Sequence, residues 1–188
     1  MLRAVRWSGA VLAGGWSRRF GQDKALYLYR GKPLMAWVLD SLAEASERFV
    51  VSNHPYQGLG LRYHDLKPGG DTLSGLHSAL AHARQDWVAV AACDQPFLSR
   101  EYWGYLLGLV RPDVQAVVAV SQDFFEPLGA LYHRSLEPEV LQRLEAGELR
   151  MQALLRSIPH VALDRAELEA RFGPHLFVNA NRPEDLPL

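Results

Sequence analysis

The chain has 188 residues, with 20 Lys and Arg against 21 Asp and Glu, a net charge of −1, and one cysteine. That length suits a single domain, able to bury roughly 70% of its unfolded surface without metal or disulfide staples, and the near-neutral balance argues against a whole-surface nucleic-acid binder. The lone Cys93 excludes an internal disulfide framework and a cysteine-based zinc site; with no apolar run of ~18–20 residues and no signal-peptide core, a cytoplasmic protein without a membrane partner is expected.

Apolar runs alternate with helix-period segments. Ala10-Val11-Leu12-Ala13 ends at a double glycine and reads as a buried strand running into a tight loop. Pro33 opens a helix whose Leu34, Met35, Val38, Leu39 and Leu42 share one face. Phe49-Val50-Val51 reads as a second strand and Leu61-Arg62-Tyr63-His64 as a third. After Pro68-Gly69-Gly70, Asp71 is the expected N-cap of a helix carrying Leu73, Leu76, Leu80 and Ala83. Trp87 to Ala92 is nearly all apolar, the pattern of a central parallel strand covered on both faces, and Asp94 follows it. Ser99 caps a helix through Leu109, Val114 to Val120 is a strand, Leu128 to Tyr132 another after Pro127, and residues 135–157 are helical. The β-α-β-α-β order predicts an open, mostly parallel α/β sheet with right-handed crossovers. Ligands of such sheets lie beyond the carboxyl ends of the strands, so the segments after Leu12, Val51, His64 and Ala92 are the places to search.

Leu12 to Lys24 is the most informative stretch. Gly14 and Gly15 let backbone approach a ligand where a Cβ would clash, and exposed N–H groups in such a loop form an anion-binding concavity. Arg18, Arg19 and Lys24 follow within the same loop. Glycines and clustered cations at a strand end suit a polyphosphate; a surface loop with solvated arginines is the competing reading. Neither G-x-x-x-x-G-K-[ST] nor G-x-G-x-x-G is present, which excludes both of those phosphate fingerprints. Asp94 reads either as a metal ligand or as a turn or N-cap residue before Pro96. His77 and His82 are five apart, a spacing that puts them on different helix faces and argues against zinc. Arg165 and Arg171, among Glu167 and Glu169, read as a solvated helix face.

The string Leu12-Ala13-Gly14-Gly15-x-Ser17-x-Arg19-x-Gly21-x-Asp23-Lys24, followed by Gly31-Lys32-Pro33-Leu34, resembles the signature of nucleotidyltransferases with a GT-A-like, Rossmann-like fold. Its double glycine resembles the molybdenum cofactor guanylyltransferases (MobA). Further segments follow in that family's order: Val50-Val51-Ser52-Asn53, Asp65, Thr72-Leu73-Ser74-Gly75-Leu76, Cys93-Asp94-Gln95-Pro96-Phe97, Glu126-Pro127-Leu128, and Phe177 through Leu186. The resemblance implies one three-layer α/β/α nucleotidyltransferase domain over residues 1–188. It implies transfer of GMP from GTP to the terminal phosphate of molybdopterin, giving molybdopterin guanine dinucleotide and pyrophosphate. A cytidylyltransferase of the same fold and a non-catalytic nucleotide-binding protein are the alternatives. By the same resemblance, Arg19, Lys24 and Asp94 form the catalytic set, and Asp94 binds Mg2+. GTP is held by Leu12, Ala13, Gly14, Gly15, Lys24, Asn53 (or Ser52), Asp65 and Asp94, with Asp65 accepting from guanine N1–H and N2–H. Gly75, Gln95, Asn179 and Asn181 line the pterin pocket, with Asn181 a second metal ligand or a polar clamp. Proteins that deliver or receive the cofactor are expected partners, nucleic acid is not.

Overall fold

The computed structural model describes residues 5–14, 23–69 and 71–187. Along the chain come β1 (Trp7–Leu12), a single turn at Lys24–Leu26, β2 (Leu28–Tyr29), β3 (Lys32–Pro33), α1 (Leu34–Ser41), β4 (Glu47–Val51), β5 (Leu61–Tyr63) and α2 (Asp71–His82). Then follow β6 (Trp87–Ala92), α3 (Arg100–Leu107), β7 (Ala116–Ser121), β8 (Phe124–His133), α4 (Glu137–Ala146), α5 (Met151–Ser157), β9 (His160–Asp164) and α6 (Arg165–Phe172). Seven strands form one sheet in the order β5-β4-β1-β6-β8-β7-β9, and β2 pairs with β3 in a separate hairpin. Only β8 runs against its neighbours; the other pairings in the large sheet are parallel.

The central strand shows why the layers form. Its side chains alternate, so Val88 and Val90 join one apolar cluster while Ala89 and Ala91 join the other. On the valine side the cover comes from Leu73, Leu76 and Leu80 of α2, Val140 of α4 and Leu154 of α5. On the alanine side it comes from Met35 and Val38 of α1, Trp103 and Leu106 of α3, and Leu168 of α6. Small strand residues face large helical ones there, which keeps the interior close-packed. The result is helix, sheet, helix, with β1 at the point where the chain turns from β4 on one side to β6 on the other. A ligand crevice is expected beyond the ends of β1 and β6.

Three local expectations need correction. β8 starts at Phe124 and runs through Pro127 instead of beginning after it. The proline is accommodated by a bulge: pairing jumps from Ala119–Glu126 to Val117–Leu131, and Gly129 there has φ +78. The carbonyls that the bulge frees find donors in Tyr132 Oη on Pro127, Gln95 Nε2 on Leu128 and Tyr102 Oη on Gly129. Residues 135–157 are not one helix; Gly147, at φ +74, caps α4 in the left-handed conformation and separates it from α5. Asp71 is the first residue of α2 and has φ +48, a conformation that Asp tolerates better than most residues. Arg165 is not merely solvated: it bonds Glu169 at 2.8 Å, pairs with Glu126 of β8 and lies over the Phe177 ring. Ser99 caps α3 as expected, accepting from Tyr102 N–H.

Candidate active site

Beyond the ends of β1, β4 and β6 opens a cleft of about 470 Å³. It is walled by Leu12, Ala13 and Gly14 from β1, Asn53 after β4, Asp65, Asp71, Thr72 and Gly75 from β5 and α2, and Cys93 and Asp94 after β6. Lys24, Leu128, Asn179 and Asn181 also line it. Three main-chain bonds fix the floor. Ala13 N–H donates to Val51 C=O, Cys93 N–H donates to Leu12 C=O, and Ala180 N–H donates to Asp94 C=O. The Leu12 carbonyl and the Ala13 N–H are therefore engaged within the sheet, and Ala13 and Gly14 follow them into the cleft.

The charged centre of the cleft is the pair Lys24 and Asp94. Lys24 sits in a single turn whose N-cap, Asp23, accepts from Ala25 N–H at 3.0 Å. Tyr56 backs this turn; burial, and then its hydrogen bond to Asp23, push its phenol well above the ordinary range. From there Lys24 Nζ reaches Asp94 Oδ2 at 2.6 Å and Asn181 Oδ1 at 3.4 Å. Asp94 is 5% exposed. Its position follows from the sequence: an all-apolar central strand carries the chain to the sheet edge, and the first carboxylate after it emerges at the crevice.

Two hard oxygen donors, the Asp94 carboxylate and the Asn181 amide carbonyl, thus converge on one cation, here the Lys24 ammonium. That donor set suits Mg2+, which takes one or two protein carboxylates and fills its remaining positions with water and phosphate oxygens. Among the described residues no group of three or more His, Cys, Asp or Glu can hold a metal by itself, so most of the ion's ligands would come from substrate and water. Cys93 adds no nucleophile. Burial, reinforced by the neighbouring Asp94, pushes its thiol up to about 12, and the reactive thiolate is suppressed.

A second polar chain lines the opposite wall. Asp65 N–H donates to Asn53 Oδ1 at 3.1 Å. That bond uses the amide oxygen and leaves the Asn53 NH2 as a pure donor. Asp65 Oδ1 accepts from Ser78 Oγ at 2.9 Å, and the same hydroxyl accepts from Leu66 N–H at 2.9 Å. Ser52, the neighbouring alternative to Asn53, is buried with its hydroxyl accepting from His54 N–H.

Of the residues that the sequence singled out, Leu12, Ala13, Gly14, Lys24, Ser52, Asn53, Asp65, Gly75, Asp94, Asn179 and Asn181 share this one cleft. Gly15 and Arg19 lie outside the described residues. Gln95 is not brought to the cleft: it is 1% exposed, and its side-chain amide accepts from Ala92 N–H and donates to Leu128 C=O, stapling the β8 bulge. Gly75 serves packing as much as lining, since a Cβ there would meet Leu12 Cδ1 at 2.7 Å. Ser78 was not singled out by sequence reasoning. Its signal is a serine on the apolar face of α2, four residues after Ser74, which likewise bonds back to this loop at Lys67 C=O.

The chain is similar to known proteins over most of its length. Residues 9–164 match the profile of the MobA-like NTP transferase domain. A probable molybdenum cofactor guanylyltransferase from Deinococcus radiodurans is 38% identical over 182 residues, covering 95% of this chain and 91% of that protein. A molybdenum cofactor guanylyltransferase from Aliivibrio fischeri is 29% identical over 194 residues, covering 99% and 96%. Among solved structures, molybdopterin-guanine dinucleotide biosynthesis protein A from Archaeoglobus fulgidus superposes with a TM-score of 0.78 at 27% identity, covering 95% of this chain and 94% of that one. Among the described residues, no helix is long and apolar enough to cross a membrane.

Proposed function

Because the chain belongs to the MobA-like NTP transferase domain family, we propose that it is a guanylyltransferase that transfers GMP from GTP to the terminal phosphate of molybdopterin. The observation that carries this reading is the Lys24 ammonium lying 2.6 Å from the Asp94 carboxylate, 70 residues away in sequence, in the cleft that also holds Asp65. An oxygen of the acceptor's phosphate forms a bond to the α-phosphorus of GTP. The bond from that phosphorus to the bridging oxygen breaks, and pyrophosphate leaves with the electron pair. The attacking oxygen is already anionic at neutral pH, so no general base is needed, and none is supplied by the protonated Cys93.

The difficulty is electrostatic, because one anion must approach another. Fixed positive charge and alignment are what the protein must provide. Lys24 supplies a cation on the phosphate side of the cleft, and Arg19 is assigned to the leaving pyrophosphate. Asp94, with Asn181 beside it, would hold Mg2+, which when bound neutralises phosphate oxygens. Asn53 and Asp65 sit together as a donor and an acceptor. Guanine offers the matching edge, an O6 acceptor beside N1–H and N2–H donors, whereas adenine offers N6–H and a bare N1. The pterin would approach from the side of Asn179 and Asn181.

Thermal melts with GTP, CTP and ATP, each with and without Mg2+, test the reading. At a hundredfold excess over Kd, a ligand adds about 2.7 kcal/mol, which for a domain of this size is about 5–10 °C. GTP with Mg2+ is expected to give the largest shift, and pyrophosphate release is expected only when molybdopterin is added. A CTP preference would turn the assignment to a cytidylyltransferase. Tight GTP binding without pyrophosphate release would make the protein a non-catalytic binder.

A further inference from the structure

The wall that carries Asp65 is built from behind by α2, and its construction points to a residue that sets base selectivity. Ser78 is fully buried. A serine in a helix interior ordinarily returns its hydroxyl to a carbonyl one turn back. Ser78 instead reaches out of the helix, donating to Asp65 Oδ1 and accepting from Leu66 N–H, both at 2.9 Å. Ser74, one turn earlier on the same face, donates to Lys67 C=O. The two serines clasp residues 65–67 against the helix. Ser78 is the serine that donates to the carboxylate.

We propose that Ser78 is a positioning residue for nucleotide selection, orienting the Asp65 carboxylate so that it meets two donors of guanine at once. This rests on the reading of Asp65 as the guanine acceptor given above. The torsion that turns a carboxylate about its last bond is broad and roughly two-fold. Nothing in Asp65 itself therefore chooses the plane it presents. The Ser78 bond fixes Oδ1, and the Asp65 main chain is fixed independently by Asn53. Oδ2 takes no protein donor among the described residues, and Oδ1 keeps a second lone pair, so both oxygens can meet the ligand. An ionised carboxylate only accepts, so a carboxylate locked in this plane rewards a base with adjacent N–H groups. A freely turning one rewards a second N–H far less.

Inosine triphosphate isolates the effect, because hypoxanthine keeps O6 and N1–H and lacks the N2 amine. Calorimetric titration of the full chain with GTP and with ITP, both with Mg2+, reads the selectivity without the pterin or any turnover. The wild-type protein is expected to prefer GTP. In Ser78→Ala, GTP affinity is expected to fall about tenfold, the scale of one hydrogen bond to a charged group. ITP should lose less, so that the GTP/ITP ratio collapses toward one. Ser78→Cys nearly preserves the volume but offers a weak donor, and it should show the same collapse in a well-packed protein. A merely structural serine would weaken both nucleotides alike. In an Asp65→Ala background, Ser78→Ala should change the ratio no further. If the wild-type ratio survives in both Ser78 variants, the proposal is overturned while the Asp65 reading stands. If the wild-type protein itself does not distinguish GTP from ITP, the Asp65 reading falls and takes this proposal with it.

Discussion

Breaking the Lys24–Asp94 pair from its two ends should destabilise the protein to different degrees. Lys24→Met leaves a carboxylate that is 7% exposed without its cation, only 2.6 Å from where the ammonium stood. Removing one partner of a buried pair costs about 3–5 kcal/mol, and the opening of this cleft to water puts the expected value at the low end, about 3 kcal/mol. Asp94→Asn is gentler. The amide keeps the volume and the main-chain bond from Ala180, and Lys24, 18% exposed, retains water and the Asn181 oxygen. The loss is then that of a charged hydrogen bond, about 1.5–3 kcal/mol. The decisive variant carries both changes: adding Asp94→Asn to Lys24→Met removes the stranded charge, so the double variant should melt above Lys24→Met alone. At about 2–4 °C per kcal/mol for a chain of this length, thermal melts of nucleotide-free protein resolve these differences. Turnover should fall by about 10²–10³-fold or more in both single variants, with the fold retained at 25 °C. A Lys24→Met protein as stable as wild type, with a double variant less stable than either, would refute the reasoning, as would near-normal turnover by Asp94→Asn.

Two further outcomes follow from the packing around α2. In Gly75→Ala the new methyl must displace the Leu12 side chain at 2.7 Å. The helix gains about 1 kcal/mol from losing a glycine, so melting should change little. GTP affinity should fall several-fold, because Leu12 lines the cleft; unchanged affinity in a nucleotide titration would show that its displacement does not reach the ligand. His82 stacks on Tyr63 at 4.0 Å, and burial, with some repulsion from His77, lowers its pKa despite the opposing bond from the His64 backbone. The unfolded chain then binds a proton that the folded chain refuses, so its contribution is intact above about pH 6.5 and is lost as pH falls below that. His82→Phe should flatten the decline in urea midpoint between about pH 6.5 and 5, and an equally steep decline would exclude His82 as its source.

The sequence revealed most where one residue type had one job. The run from Trp87 to Ala92 announced a doubly covered strand, and the first carboxylate after it lies in the cleft. Gly14 was legible for the same reason, at the end of the run Ala10 to Ala13, whereas Asn53 and Asp65 were legible through the order of segments that the chain shares with the family it resembles. What stayed hidden depended on distant partners. The strand through Pro127 survives because Tyr102, Gln95 and Tyr132, from elsewhere in the chain, satisfy the carbonyls of its bulge. Those bonds give Gln95 a structural task that its place beside Asp94 does not suggest. Arg165 read as solvated because Glu126, its partner across 39 residues, has no mark in the local pattern. Ser78 carries no local mark of its bond to Asp65 for the same reason.

These hidden partners bear on how the cleft divides its labour. The donor–acceptor pair on one wall, Asn53 with Asp65, is held by α2 and by bonds within the β4 to α2 stretch. The ionic pair on the other wall is held by different parts: the Asp23-capped turn, the end of β6, and the segment around Ala180 that bonds Asp94 from the far end of the chain. The two walls share few supporting residues, so substitutions in one should act nearly independently of substitutions in the other. On the proposed reading, selection of the base and neutralisation of the phosphates should then vary separately. A change in α2 should alter which nucleotide is admitted while the Lys24–Asp94 centre keeps its geometry, and loss of that centre should leave the order of nucleotide preference in place.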